Sequence, residues 1–266
     1  MIPHDTHLQI GSLLFEGIDQ IDLTGPFEVL ARIPNATYRI YGKSIAPVRD
    51  VKGLRLTPDA VLADAPPLDV LHVPGGPGQE SVMDDAEILS WIGQQASGAC
   101  SIFSVCTGAL ICGAAGLLKG RRATTHWASL HLLPYFGAIP VSERVVIDGA
   151  WIFAAGVTAG IDGALRLAAE LRGDEVAQMI QLQMVYAPEP PFDSGTPETA
   201  PSAILEQARR SARTITLQRE QTARRFAARL GIAVQAAVEK DPAGARARLA
   251  RTEGSLARPP RRCDPR

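Results

Sequence analysis

The stretch Ile102-Phe-Ser-Val-Cys106-Thr-Gly-Ala-Leu-Ile111 decides how this chain is read. A β-rich apolar run climbs to a cysteine and passes at once into an Ala/Leu/Ile-rich helical run. Small residues stand two positions before the cysteine and two after it, at Ser104 and Gly108. This is the layout of a nucleophile elbow, a strand-to-helix turn whose backbone passes too close to itself for bulky neighbours. The first amides of the helix would lie beneath the sulfur, and with the helix dipole they would favour thiolate over thiol. A free cysteine is ordinarily a buried packing residue. The order strand, small residue, Cys, small residue, helix argues for chemistry at Cys106 instead.

Outward from the elbow, short apolar runs at 8–15, 38–41, 53–57, 68–73 and 100–105 read as strands. Helical patterns stand at 86–95, 107–118, 160–171 and 174–186. Pro26 suits a first helical turn, which places a helix start within Asp22-Leu-Thr-Gly-Pro-Phe-Glu28. Residues 144–147 and 151–154 form a hairpin pattern around Asp148-Gly149. Strands alternating with helices from 8 to 186 indicate an α/β domain with a mostly parallel sheet. Ligands of such sheets bind at the carboxyl ends of the strands. Three loops follow such ends, at 16–25, at 75–78 and at Cys106, and they converge if their strands are neighbours.

The chain has 266 residues, 46% of them hydrophobic, which allows one sizeable core with some chain left over. Its net charge of −1 gives no global attraction to nucleic acid or membrane surfaces. Cys100, Cys106 and Cys112 fall on one strand–helix unit without C-x-x-C spacing, a poor geometry for pairing. With no apolar run of membrane-spanning length and no leader pattern at the N-terminus, a reducing, cytoplasmic setting is expected. Residues 1–230 read as one catalytic domain that includes a Pro-rich arm at 187–201 and a basic amphipathic helix at 202–230. Residues 231–266 read as an Ala/Arg/Pro-rich tail, expected to be partly disordered.

Few side chains stand beside Cys106 as candidates. Asp22 follows the first strand, and a carboxyl near a thiolate is pushed toward its protonated form, a usable general acid. Glu16, one residue beyond that strand, is the rival carboxylate. Thr107 carries a hydroxyl directly after the cysteine. Gly75 and Gly76 follow another strand end, where a backbone amide aimed beside the thiol would form, with the elbow amide at Gly108, an anion-stabilising pocket. Cys112 and Cys100 read as packing residues and Cys263 as incidental. His72 lies within a strand. His126 and His131, five apart, do not share a helix face and complete no zinc pattern, so no metal site is expected. Arg209-Arg210 and Arg224-Arg225 read as a solvated helix face. No arginine or lysine stands near Cys106 in the three loops, which suits a neutral ligand.

These residues resemble the ThiJ/PfpI superfamily, the class I glutamine-amidotransferase-like group, and within it the isocyanide hydratase branch. The resemblance lies in Ile21-Asp-Leu-Thr-Gly-Pro26, Pro66-Pro-Leu-Asp-Val70, Pro74-Gly-Gly76 and Ser104-Val-Cys-Thr-Gly108. It continues in Gly113-Ala-Ala-Gly-Leu-Leu118, Arg122-Ala-Thr-Thr-His-Trp127, Gly137-Ala-Ile-Pro-Val141, Thr158-Ala-Gly-Ile-Asp162 and the arm from Tyr186 to Phe192. It covers about residues 8–230, and the tail has no counterpart in it. The fold implied is a flavodoxin-like three-layer sandwich with a mostly parallel central sheet and an elbow cysteine. The function implied is addition of water to an isocyanide, giving an N-substituted formamide, by a homodimer that needs no cofactor. Cys106 is implied as nucleophile, Asp22 as acid/base and Thr107 as the hydrogen-bonding partner of Asp22.

Two other functions share parts of this pattern. The Cys-Thr-Gly elbow with Asp-Leu-Thr-Gly-Pro also resembles the ligand-sensing domain of AraC-type regulators. Those need two helix-turn-helix units after it, roughly 100 residues, where 65 follow the arm here. Glyoxalase or deglycase branches pair the cysteine with glutamate and histidine, whereas Thr107 follows the cysteine here.

Overall fold

A computed structural model describes residues 1–234. Cys263 and most of the 231–266 tail, for which disorder was expected, lie outside the described residues. The strands, in chain order, are β1 (Leu8–Leu13), β2 (Ala36–Gly42), β3 (Val48–Arg49), β4 (Arg55–Leu56), β5 (Ala60–Val61) and β6 (Val70–Val73). They continue with β7 (Ser101–Val105), β8 (Arg122–Ala123), β9 (Ile139–Pro140), β10 (Val145–Asp148) and β11 (Trp151–Ala154). Seven of them make one sheet in the order β10-β11-β7-β6-β1-β2-β5. Every pairing in it is parallel except the β10–β11 hairpin. The strand expected at 53–57 is only β4, paired with β3 outside this sheet.

The helices are α1 (Gln20–Leu30), α2 (Gln79–Met83), α3 (Ala86–Gly98), α4 (Gly108–Ala114), α5 (Ala159–Arg172), α6 (Asp174–Gln183) and α7 (Ser202–Arg229). A 3-10 helix spans Trp127–Phe136. Neighbouring strands are buried on both faces, so each alternates between two cores. Along β11, Trp151 and Phe153 enter one core, and Ile152 and Ala154 the other. The first core takes Ile88 and Ile92 of α3, Leu110 of α4, Phe136 of the 3-10 helix and Phe226 of α7. The second takes Val29 of α1, Leu167 of α5 and Ile180 of α6. The result is the expected α/β architecture, a mostly parallel sheet between two helical layers.

Two helix boundaries differ from the reading of the sequence. α1 begins at Gln20, capped by Asp19, whose side chain accepts from the Ile21 amide. Asp22 is therefore in the first turn and Pro26 is interior. Lacking an N–H, Pro26 leaves the Asp22 carbonyl without its helical donor, and that carbonyl faces the His72 ring instead. The helix after the elbow runs only from Gly108 to Ala114, ending where Gly116 takes a positive φ of 79°. The arm at 187–201 is irregular, as its prolines require.

Candidate active site

β1, β6 and β7 are adjacent in the sheet, so the loops that leave their carboxyl ends meet. Cys106 closes β7 with a φ of +57°, a left-handed conformation that non-glycine residues adopt rarely. It is held there on both sides: its amide donates to the Ala154 carbonyl at 2.9 Å, and its carbonyl accepts from Thr125 Oγ1 at 2.7 Å. Thr125 stands in the 122–127 segment of the resemblance, but nothing in the sequence marks it as the residue that grips Cys106. The glycines are required by close approach. A Cβ on Gly108 would lie 2.0 Å from the Val73 carbonyl oxygen, and one on Gly75 would lie 2.5 Å from the Thr107 nitrogen.

Asp22 is fully buried. Its Oδ2 accepts from the Gly75 amide at 3.2 Å. Its Oδ1 is buried with no conventional partner, and the Cys106 thiol is the side chain that interacts with this carboxyl. Burial, reinforced by the charge of Asp19, raises the Asp22 pKa to about 8. Glu16, the rival carboxylate, turns away: its Oε2 accepts from the Arg49 amide at 2.9 Å.

Three expected details change in the structure. The Cys106 thiol is not shifted toward thiolate. Burial, then the charge of Asp22, push its pKa well above the usual range, and the Thr107 amide and Arg219 only partly offset them. Helix amides are thus present, but desolvation outweighs them. The Gly75 and Gly76 amides are not free donors for an anion. Gly75 donates to Asp22, and Gly76 donates to Thr107 Oγ1 at 3.0 Å. Thr107 in turn donates to the Gly76 carbonyl at 3.2 Å, so it ties the glycine loop to the elbow rather than bonding Asp22.

A third wall comes from a helix that motif reading left out. Arg219 of α7 is 8% exposed. Its Nε donates to Gln79 Oε1 at 2.7 Å, and its Nη1 to Ser129 Oγ at 3.3 Å. The expectation that no cation stands near Cys106 held for the three loops alone. His126, set aside as a metal ligand, accepts from the Ala128 amide through Nδ1. Burial and then Arg219 push its pKa down to about 4, so it is neutral at pH 7. His72 is also buried and neutral, bonded through Nδ1 to Ser12 and Tyr38 hydroxyls at 3.0 Å each. Cys112 is a buried free thiol with its pKa raised to about 12 by burial, consistent with packing. Arg209 and Arg210 are solvated, whereas Arg225 pairs with Asp84 at 2.8 Å. Among the described residues, no group of three or more His, Cys, Asp or Glu is arranged to hold a metal ion, and no helix is long and apolar enough to cross a membrane.

Cys106 is nearly buried, 6% exposed. A cleft of about 600 Å³, lined by Met1, His4, Arg166 and Arg172 among others, lies beside the segment that precedes β1. That is the opposite end of the sheet from Cys106.

The sequence pattern of the DJ-1/PfpI family matches residues 9–170, which hold Asp22, the glycine loop, the elbow and His126. The chain belongs to the DJ-1/PfpI family. It is 51% identical over 225 residues to the isonitrile hydratase of Pseudomonas putida, a match covering 85% of this chain and 99% of that protein. The crystal structure of a THiJ/PfpI family protein from Pseudomonas syringae superposes with a TM-score of 0.81 at 39% identity. That match covers 84% of this chain and 93% of the other. The HTH-type transcriptional regulator GbdR of Pseudomonas aeruginosa is 32% identical over 187 residues, which is 66% of this chain but 50% of the regulator.

Proposed function

We propose that this DJ-1/PfpI chain is an isocyanide hydratase, a hydro-lyase that adds water to an isocyanide to give an N-substituted formamide. The observation that carries this reading is 51% identity with an isonitrile hydratase across nearly the whole of that protein. The site chemistry supports it. An isocyanide carbon accepts both a proton and a nucleophile, so the pocket needs an acid that is still protonated at pH 7 beside a sulfur. Asp22, with its pKa raised to about 8, is such an acid. The Asp22 proton is delivered to the isocyanide carbon, the Cys106 S–H bond breaks with its proton passing to the Asp22 carboxylate, and the sulfur bonds to that same carbon, giving a thioimidate, R–N=CH–S–Cys106. Water adds to the thioimidate carbon, one of its protons passing to nitrogen. Collapse breaks the C–S bond, releases R–NH–CHO and returns a proton to the Cys106–Asp22 pair. Thr107 and Gly76 hold the loop around this pair, which keeps the two reacting groups in register.

The competing sensor reading finds less support. The regulators match this chain over half their length, and here the arm leads into one 28-residue helix that packs on the site. The proposal includes a homodimer. Met179, Leu182, Val185 and Phe192 are exposed along α6 and the arm, an apolar surface of the kind that oligomer contacts cover.

The test is turnover of p-nitrophenyl isocyanide by purified protein, with formamide followed by chromatography. Turnover lost in Cys106→Ala is the expected result. Binding without turnover would overturn the proposal, and robust methylglyoxal conversion would replace it with the glyoxalase reading.

A further inference from the structure

We infer that Arg219 is a positioning residue for charge: a buried cation, supplied by the C-terminal helix α7, that holds negative charge on the Cys106–Asp22 pair. The inference deepens the proposed function and rests on Cys106 being the nucleophile. Its starting point is an imbalance. Arg219 is 8% exposed, yet its bonded partners are the neutral Gln79 and Ser129 side chains, and among the described residues it makes no ion pair. A guanidinium buried among neutral partners is costly unless an anion lies close by.

Two acidic groups are coupled to Arg219, the Cys106 thiol foremost and Glu80 of α2 after it. Glu80 is already engaged: Oε1 accepts from Gln79 Nε2 at 2.5 Å, and Oε2 from the Thr222 hydroxyl at 2.6 Å. These donors are neutral, so Glu80 keeps its charge behind Gln79 and balances part of the guanidinium; negative charge developing on the Cys106 sulfur is the further anion on which Arg219 acts. The tethers point the same way. Gln79 directly follows the glycine loop at 75–78. Ser129 lies four residues beyond Thr125, which grips the Cys106 carbonyl. The two segments that shape the elbow therefore also fix the cation.

The other groups facing Cys106 do not replace it. Asp22 of α1, backed by Asp19, opposes negative charge on sulfur. The Thr107 amide of α4 supports it as a dipole only. His126, on the segment of Ser129, is kept neutral. Arg219 is the full positive charge acting on the thiol.

The experiment is the pH dependence of iodoacetamide alkylation at Cys106, read by peptide mass spectrometry. It measures the thiol itself, so it gives an answer whether or not isocyanides are the substrate. In Arg219→Gln the alkylation midpoint should rise by about one pH unit or more, the low end for losing a neighbouring cation. Arg219→Lys should stay near the wild-type midpoint. If Arg219→Gln does not fold, Gln79→Glu neutralises the guanidinium in place and should raise the midpoint likewise. An unchanged midpoint in folded Arg219→Gln or Gln79→Glu would overturn the inference. So would a rise in Arg219→Lys equal to that in Arg219→Gln, which would assign the effect to hydrogen-bond geometry rather than charge.

Discussion

The Cys106 thiol and the Asp22 carboxyl lie against one another, both buried. The charge of Asp22 strengthens the thiol's hold on its proton, and interaction with the thiol partly offsets the burial that raises Asp22. The two groups therefore titrate as a pair. With the Asp22 pKa at about 8, a proton is available in the pocket at pH 7 and is lost above it. Isocyanide hydration should accordingly hold level through neutral pH and fall as pH rises past about 8. Asp22→Asn should lower kcat/KM by about 10²–10⁴, the usual contribution of a general acid, and remove that alkaline limb. Steady-state rates from pH 6 to 10 check both points. A limb that persists in Asp22→Asn would place the ionisation elsewhere.

The same carboxyl costs stability. Its folded pKa, about 8, lies above the ordinary 3.8, so the folded state binds more protons than the unfolded one between those values. Its stabilising contribution is complete below about pH 4 and is lost as pH rises through about 8. Asp22→Asn retains an acceptor for the Gly75 amide without the charge. The variant should be more stable than the parent by a margin that grows from pH 5 to pH 8, on the order of a few kcal/mol at the upper end. Thermal unfolding at the two pH values measures the difference, and an equal margin at both would contradict the assignment.

The elbow was legible because its constraints are local. Cys106 needs small neighbours two residues away on each side, and those stand in the sequence as Ser104 and Gly108. The parallel sheet was legible from alternating strand and helix patterns, and with it the meeting of three loops. The partners within those loops were not. Whether the Gly75 amide serves a ligand or Asp22 depends on a packing distance between segments 53 positions apart. Arg219 lay further out of reach. It meets Gln79 across 140 positions and sits on a polar helix where buried and solvated arginines look alike until the helix is docked. The sign of the Cys106 shift was missed for a related reason: the helix amides are visible in the sequence, but the depth of burial that outweighs them is not.

Acid should expose a second buried group. Burial pushes the His72 pKa from 6.5 down to about 3, so the unfolded state binds the proton first. The contribution of His72 is present above about pH 6.5 and is lost as pH falls toward 3. Urea unfolding midpoints should decline from pH 7 to pH 4.5. In His72→Gln, which keeps a polar side chain for Ser12 and Tyr38, the decline should be shallower. A parallel decline in parent and variant would exclude His72 as a source.

Thr107 makes both of its bonds to Gly76. Thr107→Val keeps its shape and leaves the buried Gly76 amide without its acceptor, at a cost of about 1–3 kcal/mol. Thr107→Ser should restore most of that loss. Because the bond holds the loop that carries Gly75 to Asp22, Thr107→Val should also lower kcat, whereas a role in binding alone would raise KM at constant kcat. Denaturation and kinetics on the same preparations separate the two.

Two glycine-to-alanine substitutions should move stability in opposite directions. Gly108 opens α4 with its α-carbon pressed on β6: an added Cβ would lie 2.0 Å from the Val73 carbonyl oxygen and 2.9 Å from its carbon. Neither partner is a side chain that can swing aside. Relief requires α4 to lift off β6, which would pull the Cys106 turn away from Asp22. Gly108→Ala should cost more than about 4 kcal/mol or prevent folding, as overpacking against fixed backbone does. Gly93 lies inside α3 with nothing within 4 Å of the Cβ position. There alanine only restricts the unfolded chain and favours the helix, so Gly93→Ala should stabilise by about 0.5–1 kcal/mol. Denaturant unfolding of both, with Cys106→Ala as a folded reference, tests whether the elbow's close contact, rather than glycine content in general, sets the limit.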